Sequence, residues 1–328
     1  MKRRHVLKAG LAAGALAALP RAAFAQDAYP ARPIRVIVPH PAGGGVDIVA
    51  RLLGEHVRPI LGQPLVIENK PGANGMIGAH QAATSAPDGY TLLMSGPGEI
   101  AISPHLYKSM NYDPFTQLQP VTLASRAPNV LLVHPGVPVS NAAELVALAK
   151  ARPGQLTFGS SGVGNIQHLN GELFNKLAGV KITHVPYKGA APQIADLVGG
   201  QITMGFTSVA AALPLIRSGK LKAIAVSSKE RVPAIPDVAP LAETPALAGY
   251  ELNNWFGLFA PAGLPPAVLR TVNEAAVKAL GSPAMQKSIV EGGAIPSPQT
   301  PDEFRSFVAG ESQKFAQIIR EVGITAEN

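Results

Sequence analysis

The stretch from Ile34 to Arg51 constrains the fold more than any other. Ile34-Arg35-Val36-Ile37-Val38 is a mostly β-branched run of strand length, and Pro39 and Pro41 end it. Gly43, Gly44 and Gly45 follow, with no Cβ to hold a ligand away from their backbone. Val46 and Asp47 then open a helix with Val49, Leu52, Leu53 and Val57 on one apolar face. Strand, glycine-rich turn and helix start make the first βα unit of an open α/β sheet, a favoured position for a ligand. The first N–H groups of a helix have no partner within it and carry partial positive charge, which suits a carboxylate. His40, Pro41, Ala42, Gly43, Gly44, Gly45, Val46 and Asp47 are the first candidate binding set. Such a turn can also simply close a βα unit and bind nothing.

The same device recurs without any repeat of sequence. Gln155-Leu156-Thr157-Phe158 reads as a strand, followed by the turn Gly159-Ser160-Ser161-Gly162-Val163-Gly164-Asn165. The helix after it has Ile166, Leu169, Leu173, Phe174 and Leu177 as its stripe and Gly179 as its stop. Ser160, Ser161, Gly162, Val163, Gly164 and Asn165 are the second candidate set. Two such turns facing each other bracket a small anion. Ser95, at the end of the strand Tyr90–Met94, Thr207, after the strand Ile202–Phe206, and His168 complete the candidates. His40, His168 and His184 lie near the turns, but a lone histidine is more often structural than a ligand.

Alternating strands and helices, such as Leu65–Ile67, Ile77–Thr84 and Tyr90–Met94, imply parallel pairing in an α/β sheet. The chain of 328 residues is long enough for two domains. Val121–Val133 is extended but interrupted at Ala127-Pro128-Asn129, as expected of a crossing between domains, and Trp255–Ala260 is an apolar strand suited to carry the chain back. Asn141 with Glu144, and Thr300 with Glu303 around Pro301, are helix-start signatures. Pro265-Pro266 starts a helix expected to end at Gly281.

Residues 1–25 read as a cleavable export signal: Lys2, Arg3, Arg4 and Lys8 precede the short apolar run Leu11–Leu19 and the small-residue site Ala23-Phe24-Ala25. Arg3-Arg4 fits the twin-arginine route as well as an ordinary secretory signal. The segment holds five cations and no acid, so the formal net charge of +7 falls to +2 without it. That gives no support to nucleic-acid binding, which needs a clustered basic face, and no nucleic-acid partner is expected. With no cysteine there is no thiolate chemistry and no disulfide. No later run is long and apolar enough to span a bilayer, so the mature chain is expected to be soluble and monomeric. Nucleotide, nucleophile-elbow and His-Glu-x-x-His motifs are all missing, so no cofactor, metal or catalytic residue is assigned.

Tyr29-Pro30-Ala31-Arg32-Pro33-Ile34, the Pro41–Asp47 turn, Glu68–Ala73, Pro87–Leu92, Gly162-Val163-Gly164, Val185–Gly189 and Trp255–Pro261 together resemble the Bug receptors. These are the periplasmic solute-binding proteins of tripartite tricarboxylate transporters. The resemblance covers the whole mature chain. It implies a two-lobed type II periplasmic binding fold, each lobe an open, mostly parallel sheet flanked by helices, with the ligand in the cleft and hinged closure. Lobe one is then expected over residues 27–125 and 250–328, and lobe two over 126–249. The implied ligand is a small organic carboxylate held by main-chain N–H groups and hydroxyls of both lobes, and the implied partners are integral-membrane transporter subunits. A membrane sensor is the alternative partner, and an exported enzyme on the same scaffold a remoter one. Many members carry an aromatic residue where His40 stands, Thr or Ser where Val46 stands, and Asp where Thr207 stands. The neutral Thr207 favours a plain carboxylate over an amino acid.

Overall fold

The computed structural model describes residues 29–325; the export signal expected over residues 1–25 lies outside them. The strands β1 (Ile34–Val38), β2 (Leu65–Asn69), β3 (Thr91–Ser95) and β4 (Leu118–Ala127) enter one sheet. A second sheet takes β5 (Asn129–Val133), β6 (Thr157–Ser160), β7 (Thr183–Pro186), β8 (Met204–Ser208) and β9 (Lys222–Val226). The chain then returns to the first sheet with β10 (Asn254–Pro261) and the short β11 (Ile295–Pro296). The spatial orders are β11-β4-β10-β3-β1-β2 and β7-β6-β8-β5-β9.

The two-sheet α/β class is as the sequence implied, but the sheets are mixed and not mostly parallel. β1 runs parallel to β2 and β3, and β6 runs parallel to β7 and β8. β10 is antiparallel to β3 and β4, and β5 is antiparallel to β8 and β9. The cause is the crossing. A helix returns the chain to the same end of a sheet and keeps neighbours parallel, whereas a strand arriving from the other sheet enters from the opposite end.

The crossing from β4 to β5 is the single residue Pro128, which has no N–H and breaks the ladder. The second crossing, between β9 and β10, is tied to the first. Ser227 N–H donates to Asn129 O (2.8 Å), Asn129 N–H donates to Ser227 Oγ (2.9 Å), and Ser227 Oγ donates to Asn253 Oδ1 (3.0 Å).

Helices cover both faces of each sheet: α1 (Gly45–Leu61), α2 (Met76–Ala83), α3 (Ala142–Ala151), α4 (Ile166–Ala178), α5 (Ala190–Val198), α6 (Val209–Arg217), α7 (Pro266–Leu280), α8 (Pro283–Glu291) and α9 (Pro301–Val322). The period of two along β10 shows why. Trp255 and Phe259 point to the core that holds α9, and Phe256, Leu258 and Ala260 point to the core that holds α1, α7 and α8. Each such large side chain contributes about 1.5–3 kcal/mol by leaving water, so a one-residue slip would be severely unfavourable. One core runs unbroken across both sheets, from Leu93 and Phe304 to Leu131, Phe158 and Phe174. On the opposite faces the cores are separate: Val49, Phe256 and Ile289 belong to one, and Val130, Leu197 and Val209 to another.

Local expectations held with small shifts. α1 begins at Gly45, β8 spans Met204–Ser208 and not Ile202–Phe206, and Thr300 with Glu303 forms a full capping box before α9. Leu177 was expected in the buried stripe of α4 but is 36 % exposed, because that face turns outward at the last turn. α8 was not expected.

Candidate functional site

The loop before α1 is fixed from beneath by Asp47. Gly44 caps the helix without a side chain, and Asp47 reaches back from the first turn to accept from Gly43 N–H (2.9 Å). Arg51 donates to both carboxylate oxygens (3.0 and 2.9 Å), and Asn69 Nδ2 donates to Asp47 Oδ1 (2.9 Å) and to His40 O (3.0 Å). The loop is thus held at its start, His40, and at its end, Gly43. Burial would raise the Asp47 pKa, but the bonds from Arg51, Gly43 and Asn69 outweigh it and hold the carboxyl below its usual range. Asp47 is therefore a brace whose oxygens are already engaged. Gly43 sits at φ +83°, a left-handed conformation that favours glycine. A Cβ on Gly45 would lie 3.0 Å from Phe256 Cζ. The Val46 side chain is buried in the core, so its share of the site is its N–H. Among the described residues no acceptor meets the N–H groups of Gly45, Val46 and Asp47.

His40 stands over a fully buried acid that sequence reasoning missed. Glu99 takes a hydrogen bond from Ser95 Oγ and one from Gly96 N–H (3.1 Å), and its second oxygen lies 3.3 Å from His40 Nε2. Burial alone would lower the His40 pKa, but the Glu99 charge and hydrogen bond raise it above its ordinary value. For Glu99, burial is likewise outweighed by His40, Ser95 and Gly96, and its pKa is lowered. Each shift favours the charged form of its group. Ser95 is spent on Glu99 and the His40 side chain is 35 % exposed. The signal for Glu99 was an acid leading into the apolar run Ile100-Ala101-Ile102.

The loop before α4 is ordered by its own side chains. Asn165 caps α4, accepting from His168 N–H (3.0 Å), and its Nδ2 donates to Ser161 Oγ (2.8 Å), which donates to Gln167 Oε1 (3.1 Å). Ser160 is buried beneath, with its Oγ donating to Gly162 O (2.8 Å) and lying 2.7 Å from His184 Nε2. Because Gly162 O can only accept, the Ser160 proton is committed to it and His184 Nε2–H donates to Ser160, the reverse of a nucleophile–base pair. Gly164 N–H donates to His168 Nδ1 (3.1 Å), and the His168 ring stacks on His184 with centroids 3.8 Å apart. Burial pushes the His168 pKa down to about 3, helped by His184, and the His184 pKa down to about 4. Both rings are neutral supports of the loop. Among the described residues the N–H groups of Ile166 and Gln167 meet no acceptor.

Both loops abut the segment that follows β3. Glu99 at its start meets His40, and Leu106 at its end fills the space beside Gly164, where a Cβ would come within 2.4 Å of Leu106 Cδ1. Gly45 also shares a cavity with Ser208, the last residue of β8. Thr207 lies one residue earlier, 3 % exposed, opposite Val130 in the ladder. Ser208 and Phe256 were not among the sequence candidates; each is a strand residue beside a glycine-rich turn in space but far from it in the chain.

The chain is similar to known proteins over nearly its whole length. The family model described as the tripartite tricarboxylate transporter family receptor matches residues 49–324. Protein BugT of Bordetella pertussis is 39% identical over 298 residues, 90% of this chain and 91% of that one. The solved structure of Rhodopseudomonas palustris Rpa4515 with adipate superposes with a TM-score of 0.85 at 34% identity, over 90% of this chain and 99% of that chain. MatC from the same organism, with bound malate, gives 0.79 at 31% identity, over 89% and 100%. The chain belongs to the tripartite tricarboxylate transporter receptor family.

Proposed function

We propose that the protein is a periplasmic receptor that reversibly captures a small organic carboxylate between two lobes and passes it to membrane transporter subunits. One observation carries the reading: the loops that lead into α1 and α4 both touch the segment after β3, through His40 and Gly164, and each helix starts with backbone N–H groups that meet no acceptor among the described residues. α1 has 17 residues and α4 has 13, long enough for each to present a partial positive charge at its start. Neutral amides leave no unpaired charge in an empty cleft, yet form strong charge-assisted bonds once a carboxylate arrives and water is expelled. Relatives holding adipate and malate support a carboxylate ligand. Lobe one takes residues 27–125 and 250–328, lobe two 126–249, and closure turns on Pro128 and the Asn129–Ser227–Asn253 clasp.

Melting curves of ligand-free protein across a panel of mono-, di- and tricarboxylates test the reading. An acid at 100 times its Kd adds about 2.7 kcal/mol of stability. If no acid moves the curve while an uncharged compound does, the reading fails.

A further inference from the structure

One cavity in the molecule is unlike the polar loops beside it. It has a volume of about 80 Å³ and no charged side chain lines it. Its walls come from both sheets: Gly45, Ile48 and Leu52 of α1, Phe256 of β10 and Ile289 of α8 on one side, and Val209 at the start of α6 on the other. These are the faces on which the cores of the two sheets are not joined. Ile48, one turn into α1, is 45 % exposed at this wall.

We propose that this cavity is the subsite for the hydrocarbon part of the ligand, so that the receptor selects carboxylates carrying an aliphatic chain or ring. The inference rests on the carboxylate reading above and specifies its ligand. Gly45 joins the two functions: its N–H is free for a carboxylate oxygen and its Cα lines the cavity. A carboxylate held at the start of α1 thus places its next carbons at the cavity mouth. An apolar chain there contacts Ile48 and Leu52 of α1 on one side and Val209 of the other sheet's core, and closes the gap between the two cores. A further charged group gains nothing in that space, because no charged side chain lines it. The cavity is also far too small and concave for a protein partner, which needs about 800 Å² on each side.

Calorimetric titration of ligand-free protein with the linear series from propanoate to octanoate, and with malate as a head-group control, tests this. Affinity is expected to rise about fourfold per methylene over the first few carbons and then level off as the cavity fills. Ser288 of α8 also lines the cavity, and Ile48→Asn and the cavity-filling Ser288→Phe are each expected to flatten that rise while leaving the affinity for the shortest acid that binds unchanged. If carboxylates bind with no dependence on length, or if the rise survives both variants, the subsite is wrong and the carboxylate reading stands. If no carboxylate of any length or charge binds, the carboxylate reading itself has failed and takes the subsite with it. A dimer in sedimentation that Ile48→Asn dissociates would assign the face to a second copy of the chain and overturn the proposal.

Discussion

The Asp47 carboxylate accepts four hydrogen bonds, from Gly43, Asn69 and twice from Arg51, while buried beneath the loop it shapes. Replacing it with alanine leaves Gly43 N–H and the Asn69 amide without their partner, a cost of about 1–3 kcal/mol. Asp47→Ala is expected to lower the urea midpoint accordingly and to weaken carboxylate binding; an unchanged midpoint with unchanged binding would remove Asp47 as the brace of the loop. His168 and His184 set a pH dependence. Their folded pKa values, about 3 and about 4, lie below the ordinary value near 6.5, so between those limits the unfolded chain binds more protons and stability falls as pH drops. His40 has the opposite sign, since its raised pKa stabilises below the ordinary value and the gain fades as pH rises through the raised one. His184→Gln, which keeps a donor for Ser160, is expected to shrink the loss of melting temperature between pH 7 and pH 5; an equal loss would deny the buried pair its role. At this scale the glycines and the two loops were legible, because backbone freedom is local, whereas Asn165 was read only as a binding candidate and proves to cap α4. The roles of Asp47, His168 and Glu99 were not legible, because each depends on what the fold brings beside it from elsewhere in the chain.

Elements meet through close approaches that local sequence does not announce. Gly171 of α4 lies against Phe158 of β6 so closely that a Cβ would stand 2.1 Å from the ring. Gly171→Ala gains up to about 1 kcal/mol of helix propensity but must push apart the helix and strand that carry the second loop, at about 1–3 kcal/mol. A net loss of stability by chemical denaturation is expected, and a net gain would show that the contact is slack. Caps were readable: Thr300 and Glu303 form their box, and Gly179 ends α4 in the left-handed conformation. α8 escaped notice because only Met285 and Ile289 of its residues are buried, too few to mark a stripe among Gln286, Lys287 and Ser288. Strand direction also escaped, since β10 and β5 owe their antiparallel pairing to crossings between sheets.

Over the whole molecule, one continuous core binds the two sheets on one face, and an apolar gap divides them on the other. If the lobes close as proposed, with the shared core and the Asn129–Ser227 clasp kept, the movement is expected on the gap side, where the starts of α1 and α6 stand. On the proposed function, the amides at the starts of α1 and α4 hold one carboxylate together. Amide-resolved nuclear magnetic resonance of the ligand-free protein, titrated with the tightest-binding carboxylate from the melting panel, tests it most directly. The N–H signals of Gly45–Asp47 and of Ile166–Gln167 are predicted to move downfield together along a single binding curve. Binding that shifts only one of the two sets, or neither, would show that the two helix starts do not share the ligand.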